Sequence, residues 1–474
     1  MKLPKIIQGG MGAGVSDWRL ARSVSTRGQI GVVSGTALDL ILVRRLQVGD
    51  PGGHMRRALE AFPDPVIADR ILTRYFIANG KDADRPFAGK PMVGNRPSRQ
   101  LEELIVAANF AEVYLAKEGH DGLVGINYLH KIQAPLLASL YGAMLAGVDL
   151  VLVGAGIPIE IPRAIESLTR GEPVESKLQI RKTESGKEHF LSFDPRNVLE
   201  TPPPSLPRPL FFPIVSSASL AGLLVKKSNG GVNGLIIEGP TAGGHNAPPR
   251  GKTELSAEGE PVYGQRDAID LVAINALGVP FFLAGSYGGP GRLKEALAAG
   301  AAGIQVGTLF AFCDESGMRA DIKHDLIRRC QDKQPRVFTD PLASPTGFPI
   351  KVLSVPDTLS EAGVYDGRQR KCDLGYLREA YELPNGNLGW RCPADEIHLY
   401  TKSGGAIEDT VGRKCLCNGL MANIGLPQVR AEGIVELPLV TCGDDLQSIF
   451  QVVGSDRKSY TASEVIDYLL TVIE

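Results

Sequence analysis

"PFFLAGSYGGPGRLKEALAAGAAGIQVGT" covers residues 280–308. An aromatic and apolar run ends at Gly285, a glycine-rich turn follows, and Leu293, Ala296 and Leu297 then repeat at helical spacing before a second apolar run at 303–307. Strand, helix and strand within about thirty residues make a parallel βαβ unit, because a hairpin partner would return after only a few residues.

The same rhythm recurs along the chain. Buried-type strands are expected at 3–8, 29–34, 122–127, 149–154, 212–216, 234–238, 280–285 and 303–307, with helical patterns between most of them, such as 266–277 and 291–301. Eight such strands alternating with helices are the sequence form of an α/β fold of the (β/α)8 TIM-barrel type. The barrel is expected to occupy residues 1–353, with two long insertions at about 36–120 and 172–209. The first insertion holds helical stretches at 54–62 and 99–116. The second reads as a polar hairpin, "KLQIRKTESGKEHFLSF", followed by the proline-rich "TPPPSLPRP"; a surface decoration rather than a lid is expected there. Beyond "SPTGFPIKVL" the rhythm stops, so residues 354–474 are expected to be an accessory region packed on the barrel.

Composition bounds the function classes. The chain has 474 residues, 43% hydrophobic and 22% charged, with a formal net charge of -2, so it carries no basic field for nucleic acid. No stretch is apolar for long enough to span a bilayer, and the first strand begins without a signal-peptide pattern. Seven cysteines without an export signal point to reduced thiols, and a cytoplasmic enzyme for a small-molecule substrate is expected.

Three glycine clusters carry the chemistry. The first, "IIQGGMGAGVS" at residues 6–16, fails the dinucleotide fingerprint. Counting from Gly10 the third glycine falls on Val15, counting from Gly12 it falls on Asp17, and the second strand ends at Ser34 instead of an acidic residue. The other two follow expected strands seven and eight, where (β/α)8 enzymes commonly hold a phosphate on backbone N–H groups. Gly285, Ser286, Gly307 and Thr308 are the candidate donors. In "IIEGPTAGGHNAPPRG" (236–251) a strand delivers Glu238 at its end and His245 follows a glycine turn. That position, just beyond the C-terminal end of a barrel strand, suits a base or a group that stabilises negative charge.

"IIQGGMGAGVS", "GINYL", "EGPTAGGH", "AGSYGGPGRL" and "QVGT", in this order, resemble the nitronate monooxygenase (2-nitropropane dioxygenase) family, whose superfamily includes flavin-dependent enoyl-ACP reductase II. The resemblance implies an FMN-binding barrel. Gly9, Gly10 and Met11 would lie along the isoalloxazine, and Asn127 would be a further flavin contact. Glu238 stands where many members have Gln, and Gly243 matches the first glycine of "GGH". Gly285 and the run Gln305, Gly307 and Thr308 match the phosphate-binding positions, and His245 matches the catalytic histidine. The implied activity is FMN-dependent oxidation of an alkyl nitronate with oxygen. The alternative is an enoyl-thioester reductase of enoyl-ACP type, which implies NAD(P)H as electron donor and an acyl carrier protein as partner; a homo-oligomer fits either. "GHNAPP" departs from the family by lacking the usual glycine soon after the histidine.

Cys372, Cys392, Cys415 and Cys417 cluster late in the sequence. Four thiolates could hold zinc or an iron–sulfur cluster, but their spacing lacks paired C-x-x-C knuckles, so buried or incidental thiols are expected and no metal ligand is assigned.

Overall fold

A computed structural model describes residues 3–181, 186–228, 231–332 and 335–471. Eight parallel strands form its centre: β1 Ile6–Gln8, β2 Gly31–Ser34, β3 Val124–Leu129, β4 Leu150–Gly154, β5 Leu210–Val215, β6 Leu235–Glu238, β7 Phe281–Ala284 and β8 Gly303–Val306. Each expected strand is present, and the third runs on to Leu129. Neighbours in sequence are neighbours in space, from β2 opposite β3 round to β8 opposite β1, where Ile6 faces Ile304. The ring closes where Ile7 bridges Ile30, immediately before β2.

The barrel is packed instead of hollow. Ile7, Val32, Leu152, Phe212, Ile236 and Phe282 fill its interior, and the Phe212 and Phe282 rings lie 6.1 Å apart. The larger apolar clusters lie outside the ring, between strands and helices.

Residues 36–120 form four helices, Leu38–Gln47, His54–Glu60, Pro65–Tyr75 and Arg99–Lys117. Asp64 and Ser98 start the last two by accepting backbone N–H groups, and Pro65 supplies the fixed φ of a first helical position. Under this layer Arg45 lies between two buried carboxylates, Asp17 at 3.2 Å and Glu112. Asp17 also caps the helix Trp18–Thr26.

The second insertion is an antiparallel hairpin, Val174–Lys177 with Phe190–Phe193; its tip, 182–185, lies outside the described residues. It is more than surface decoration. Leu178 and Leu191 pack on Ala380, Ile180 bridges Ala380, and the Arg181 guanidinium binds Glu379 at 3.1 Å and Asp409 at 2.6 Å. The hairpin is thus clamped to the C-terminal stretch. The helix expected at 266–277 is also broken, into a turn at Gln265–Asp267 and a short helix Leu271–Asn275. Asp267 folds back to accept the Gly264 N–H at 2.8 Å, and Asp270 caps the second piece.

Beyond residue 353 lie a hairpin, Glu379–Glu382 with Leu388–Arg391, and the helices Ile397–Lys402, Leu416–Asn423, Gln447–Val453 and Ala462–Leu470. Much of this stretch shares its core with the rest of the chain. Tyr376, Met421 and Leu426 join the helices of the first insertion, while Val440, Ile449 and Ile466 join Leu20, Val24 and Leu326. Among the described residues no helix is long and apolar enough to cross a membrane.

Candidate active site

The C-terminal ends of the strands open into one cavity of about 420 Å³. All twelve residues singled out from the sequence line it: Gly9, Gly10, Met11, Asn127, Glu238, Gly243, His245, Gly285, Ser286, Gln305, Gly307 and Thr308.

One wall is the glycine turn after β1. Its course is set by Gln8, fully buried, whose amide donates to the Gly9 carbonyl at 2.5 Å and to Ser16 Oγ at 2.9 Å. Ser16 in turn donates to the Gly9 carbonyl and accepts the Met11 N–H at 3.0 Å. Ser34, at the end of β2, donates to the Gly12 carbonyl at 2.5 Å. The residue that rules out a ribose-binding acid therefore ties down this turn. Gly10 is required by close approach, since a side-chain carbon there would lie 2.5 Å from Asn127 Cβ. Asn127 Oδ1 and Gln305 Oε1, on adjoining walls, are buried acceptors without a hydrogen-bond partner in the protein. Such groups are costly unless a ligand satisfies them.

Beside it lie the turns after β8, the strand paired with β1, and after β7. Gly285 and Ser286 both have positive φ, +93° and 56°, an uncommon conformation for serine. Thr308 Oγ1 accepts the Gly443 N–H at 2.9 Å. No lysine or arginine lines the cavity among the described residues, so an anion there would rest on backbone N–H groups. Asp445 also lines this end, and its Oδ2 is buried without a partner.

The third wall carries the titratable groups. Burial pushes the Glu238 carboxyl up to about 8, so it is mainly protonated at neutral pH. His245 is pushed down to about 3, first by burial and then by the nearby Lys131 charge, so its imidazole is neutral. Burial also lowers Lys131 to about 7. His245 is anchored by a strap: Nε2 lies 2.6 Å from Ser344 Oγ, and His245 pairs antiparallel with Ile350. Ser344 Oγ lies 2.8 Å from Thr346 Oγ1, which accepts from Lys131 Nζ at 3.4 Å, and the Lys131 ammonium stands over the Phe348 ring. As an ammonium, Lys131 can only donate. The arrangement that uses every hydroxyl proton runs Lys131 to Thr346 to Ser344 to His245 Nε2, which leaves the imidazole proton on Nδ1.

Sequence reasoning missed the roof. Phe348 and Ile350 come from the stretch where the βα rhythm stops, as does Ser344 behind His245, and Tyr376, Cys417, Met421 and Gly443 come from beyond residue 353. The approach is close: a side chain on Gly243 would lie 2.7 Å from Gly443 N. Only the glycines and the "SPTGFP" turn hinted at this in the sequence.

Residues 206–336 match the family model for nitronate monooxygenase. That span contains "EGPTAGGH", "AGSYGGPGRL" and "QVGT", so the resemblance read from these motifs holds there, and it supports an oxidoreductase. No curated protein matches the chain. Similar solved structures include nitroalkane oxidase from Streptomyces ansochromogenes, with 14% identity over 99% of this chain and 95% of that one at a TM-score of 0.48. FabK from Thermotoga maritima has 16% identity over 100% and 93%, at 0.46. The enoyl reductase domain of MlnA from Bacillus amyloliquefaciens has 12% identity over 99% and 92%, at 0.47.

Proposed function

We propose that this chain is an FMN-dependent oxidoreductase whose reacting substrate lies against His245, and that it reduces an enoyl thioester. The family match over residues 206–336 and the unpaired acceptors Asn127 Oδ1 and Gln305 Oε1 support the flavin. In this reading Gly9, Gly10 and Met11 flank the ring, while Asn127, Gln305 and protonated Glu238 meet its polar edge. Gly243, Gly285, Ser286, Gly307 and Thr308 take the ribityl phosphate. Bound FMN supplies two-electron redox chemistry that no side chain can.

The setting of His245 favours this reading, since Ser344 holds a ring that can donate a hydrogen bond. A neutral imidazole whose conjugate acid sits near 3 is a weak base, ill-suited to removing a proton from a nitroalkane, and it carries no positive charge for a nitronate. It is a suitable hydrogen-bond donor. Nδ1–H can donate to a thioester carbonyl oxygen as negative charge develops there, with Ser344 holding the ring in that tautomer. Phe348, Ile350 and Met421 keep water from that oxygen. Nitronate oxidation is the second reading, carried by the family match itself.

The test runs two assays on one flavin-loaded preparation: a short enoyl thioester with NADH or NADPH under argon, and an alkyl nitronate with oxygen. Thioester reduction without nitronate turnover supports the proposal, and the reverse pattern restores the nitronate reading. A protein that binds no FMN refutes both.

A further inference from the structure

A second cavity, of about 390 Å³, lies between the first insertion and the stretch beyond residue 353. Leu40 and Arg44, on the helix Leu38–Gln47, and the segment 86–90 supply one side. Residues 371–374 and 428–431 supply the other. Leu40 lines this cavity and the main one, so the two share part of a wall. The charged side chains of the second cavity are Arg44, Lys90, Lys371, Arg430 and a single carboxylate, Asp373.

Two of these cations are already neutralised. Lys90 Nζ lies 2.6 Å from Asp39, which also accepts from the Tyr376 hydroxyl, at 2.6 Å, in the roof of the main cavity. Arg430 binds Asp373 and Glu436, each at 2.6 Å, and Arg368 shares Glu436. Arg44 and Lys371 have no ion pair among the described residues, and Lys371 is exposed. Arg44 is the unusual member, because it is only 1% exposed. Asp373 and Glu436 attract it from beyond ion-pair reach. Its guanidinium donates to the Leu426 carbonyl at 2.5 Å and stands 4.8 Å from the centre of the Phe87 ring, while Nε has no hydrogen-bond partner in the protein. Burial lowers it to about 10, so it keeps its charge at neutral pH. A buried guanidinium without a carboxylate is costly unless a counter-charge reaches it.

Arg44 and Lys371 leave two positive charges beside one cavity, which matches the charge of a phosphate monoester near neutral pH. Guanidinium and ammonium groups are the side chains that hold phosphate. Leu40, Phe87, Leu374 and Val429 give the same cavity an apolar face, and its volume is in the range of small-molecule sites. We propose that this cavity binds a small organic phosphate ester, its phosphate facing Arg44 and Lys371 and its organic part against Phe87 and Leu374. A purely structural arginine would fill its space and pair its N–H groups. Arg44 instead borders an open volume with Nε–H left over.

The test uses the full chain loaded with FMN, so that the turns after β7 and β8 are occupied. Calorimetric titrations with phenyl phosphate, inorganic phosphate and acetate are run at constant ionic strength. One phenyl phosphate per chain is expected, bound about tenfold more tightly than inorganic phosphate, with acetate weaker still. Lys371→Glu should weaken the ester by about tenfold or more. Lys226→Glu, the same charge change on an exposed helix position elsewhere, should leave it unaltered. Arg44→Gln should abolish binding; should circular dichroism show that it does not fold, Lys371→Glu decides alone. No saturable ester binding, binding unaffected by Lys371→Glu, or acetate as tight as the ester overturns the proposal, and inorganic phosphate as tight as the ester overturns its organic part. If the chain takes up no FMN, the same titrations on the bare protein decide, because Lys371 lies outside the main cavity.

Discussion

Replacing Glu238 with glutamine isolates one proton in the cavity wall. With its carboxyl at about 8, Glu238 is roughly ten-to-one protonated at pH 7 and roughly ten-to-one ionised at pH 9. If the neutral acid is the form that meets the flavin, apparent FMN affinity is constant up to about pH 7 and then falls, by about tenfold at pH 9. Glu238→Gln keeps a neutral group of the same size and cannot ionise. FMN titrations by fluorescence quenching between pH 6 and 9.5, on both proteins, give a ratio in which the flavin's own ionisations cancel. That ratio should be flat to pH 7 and reach about tenfold at pH 9. The same shift acts on folding. The folded state holds a proton that the unfolded chain has released, so this residue's contribution to stability declines as pH rises from 4.5 toward 8, and the glutamine variant lacks that decline. Identical pH profiles for the two proteins, or loss of FMN binding by the glutamine variant at pH 7, would refute the assignment of a protonated Glu238.

Three further outcomes follow from the geometry. His245→Ala should lower thioester reduction by about 10²–10³ with little change in FMN affinity, read from kcat and from flavin titration. Because the folded-state value of His245 lies near 3, kcat should show no inflection near 6.5 from this residue; its contribution to stability is complete above about 6.5 and is lost as pH falls toward 3, which urea unfolding at several pH values measures. Gly243→Ala must displace the backbone at Gly443, 2.7 Å from the new carbon, and should weaken FMN retention on gel filtration while leaving the far-ultraviolet spectrum unchanged. Arg45→Ala leaves Asp17 and Glu112 buried without their cation and should cost about 3–5 kcal/mol in urea unfolding.

The barrel was legible because most of its strands are short, largely buried runs ended by a glycine or small residue, a local signal that survives without knowledge of the fold. The cavity floor was legible for the same reason: Gly9, Gly10, Gly285 and Gly307 all sit where strands end. The helix at 266–277 was misread because Asp267 and Asp270 compete for backbone N–H groups within an otherwise helical pattern. Ser344, Tyr376 and Gly443 could not be found locally, since their role depends on contacts with residues far away in the chain.

The roof also sets an order of events during synthesis. The strand ring has all its members once Val306 has left the ribosome, but the cavity still lacks Tyr376, Cys417, Gly443 and Asp445. At about 5–20 residues per second the last of these emerges roughly 7–28 seconds later. Through that interval the polar floor faces solvent, so durable capture of a ligand waits for the final quarter of the chain, and holding one certifies that the two ends of the sequence have met.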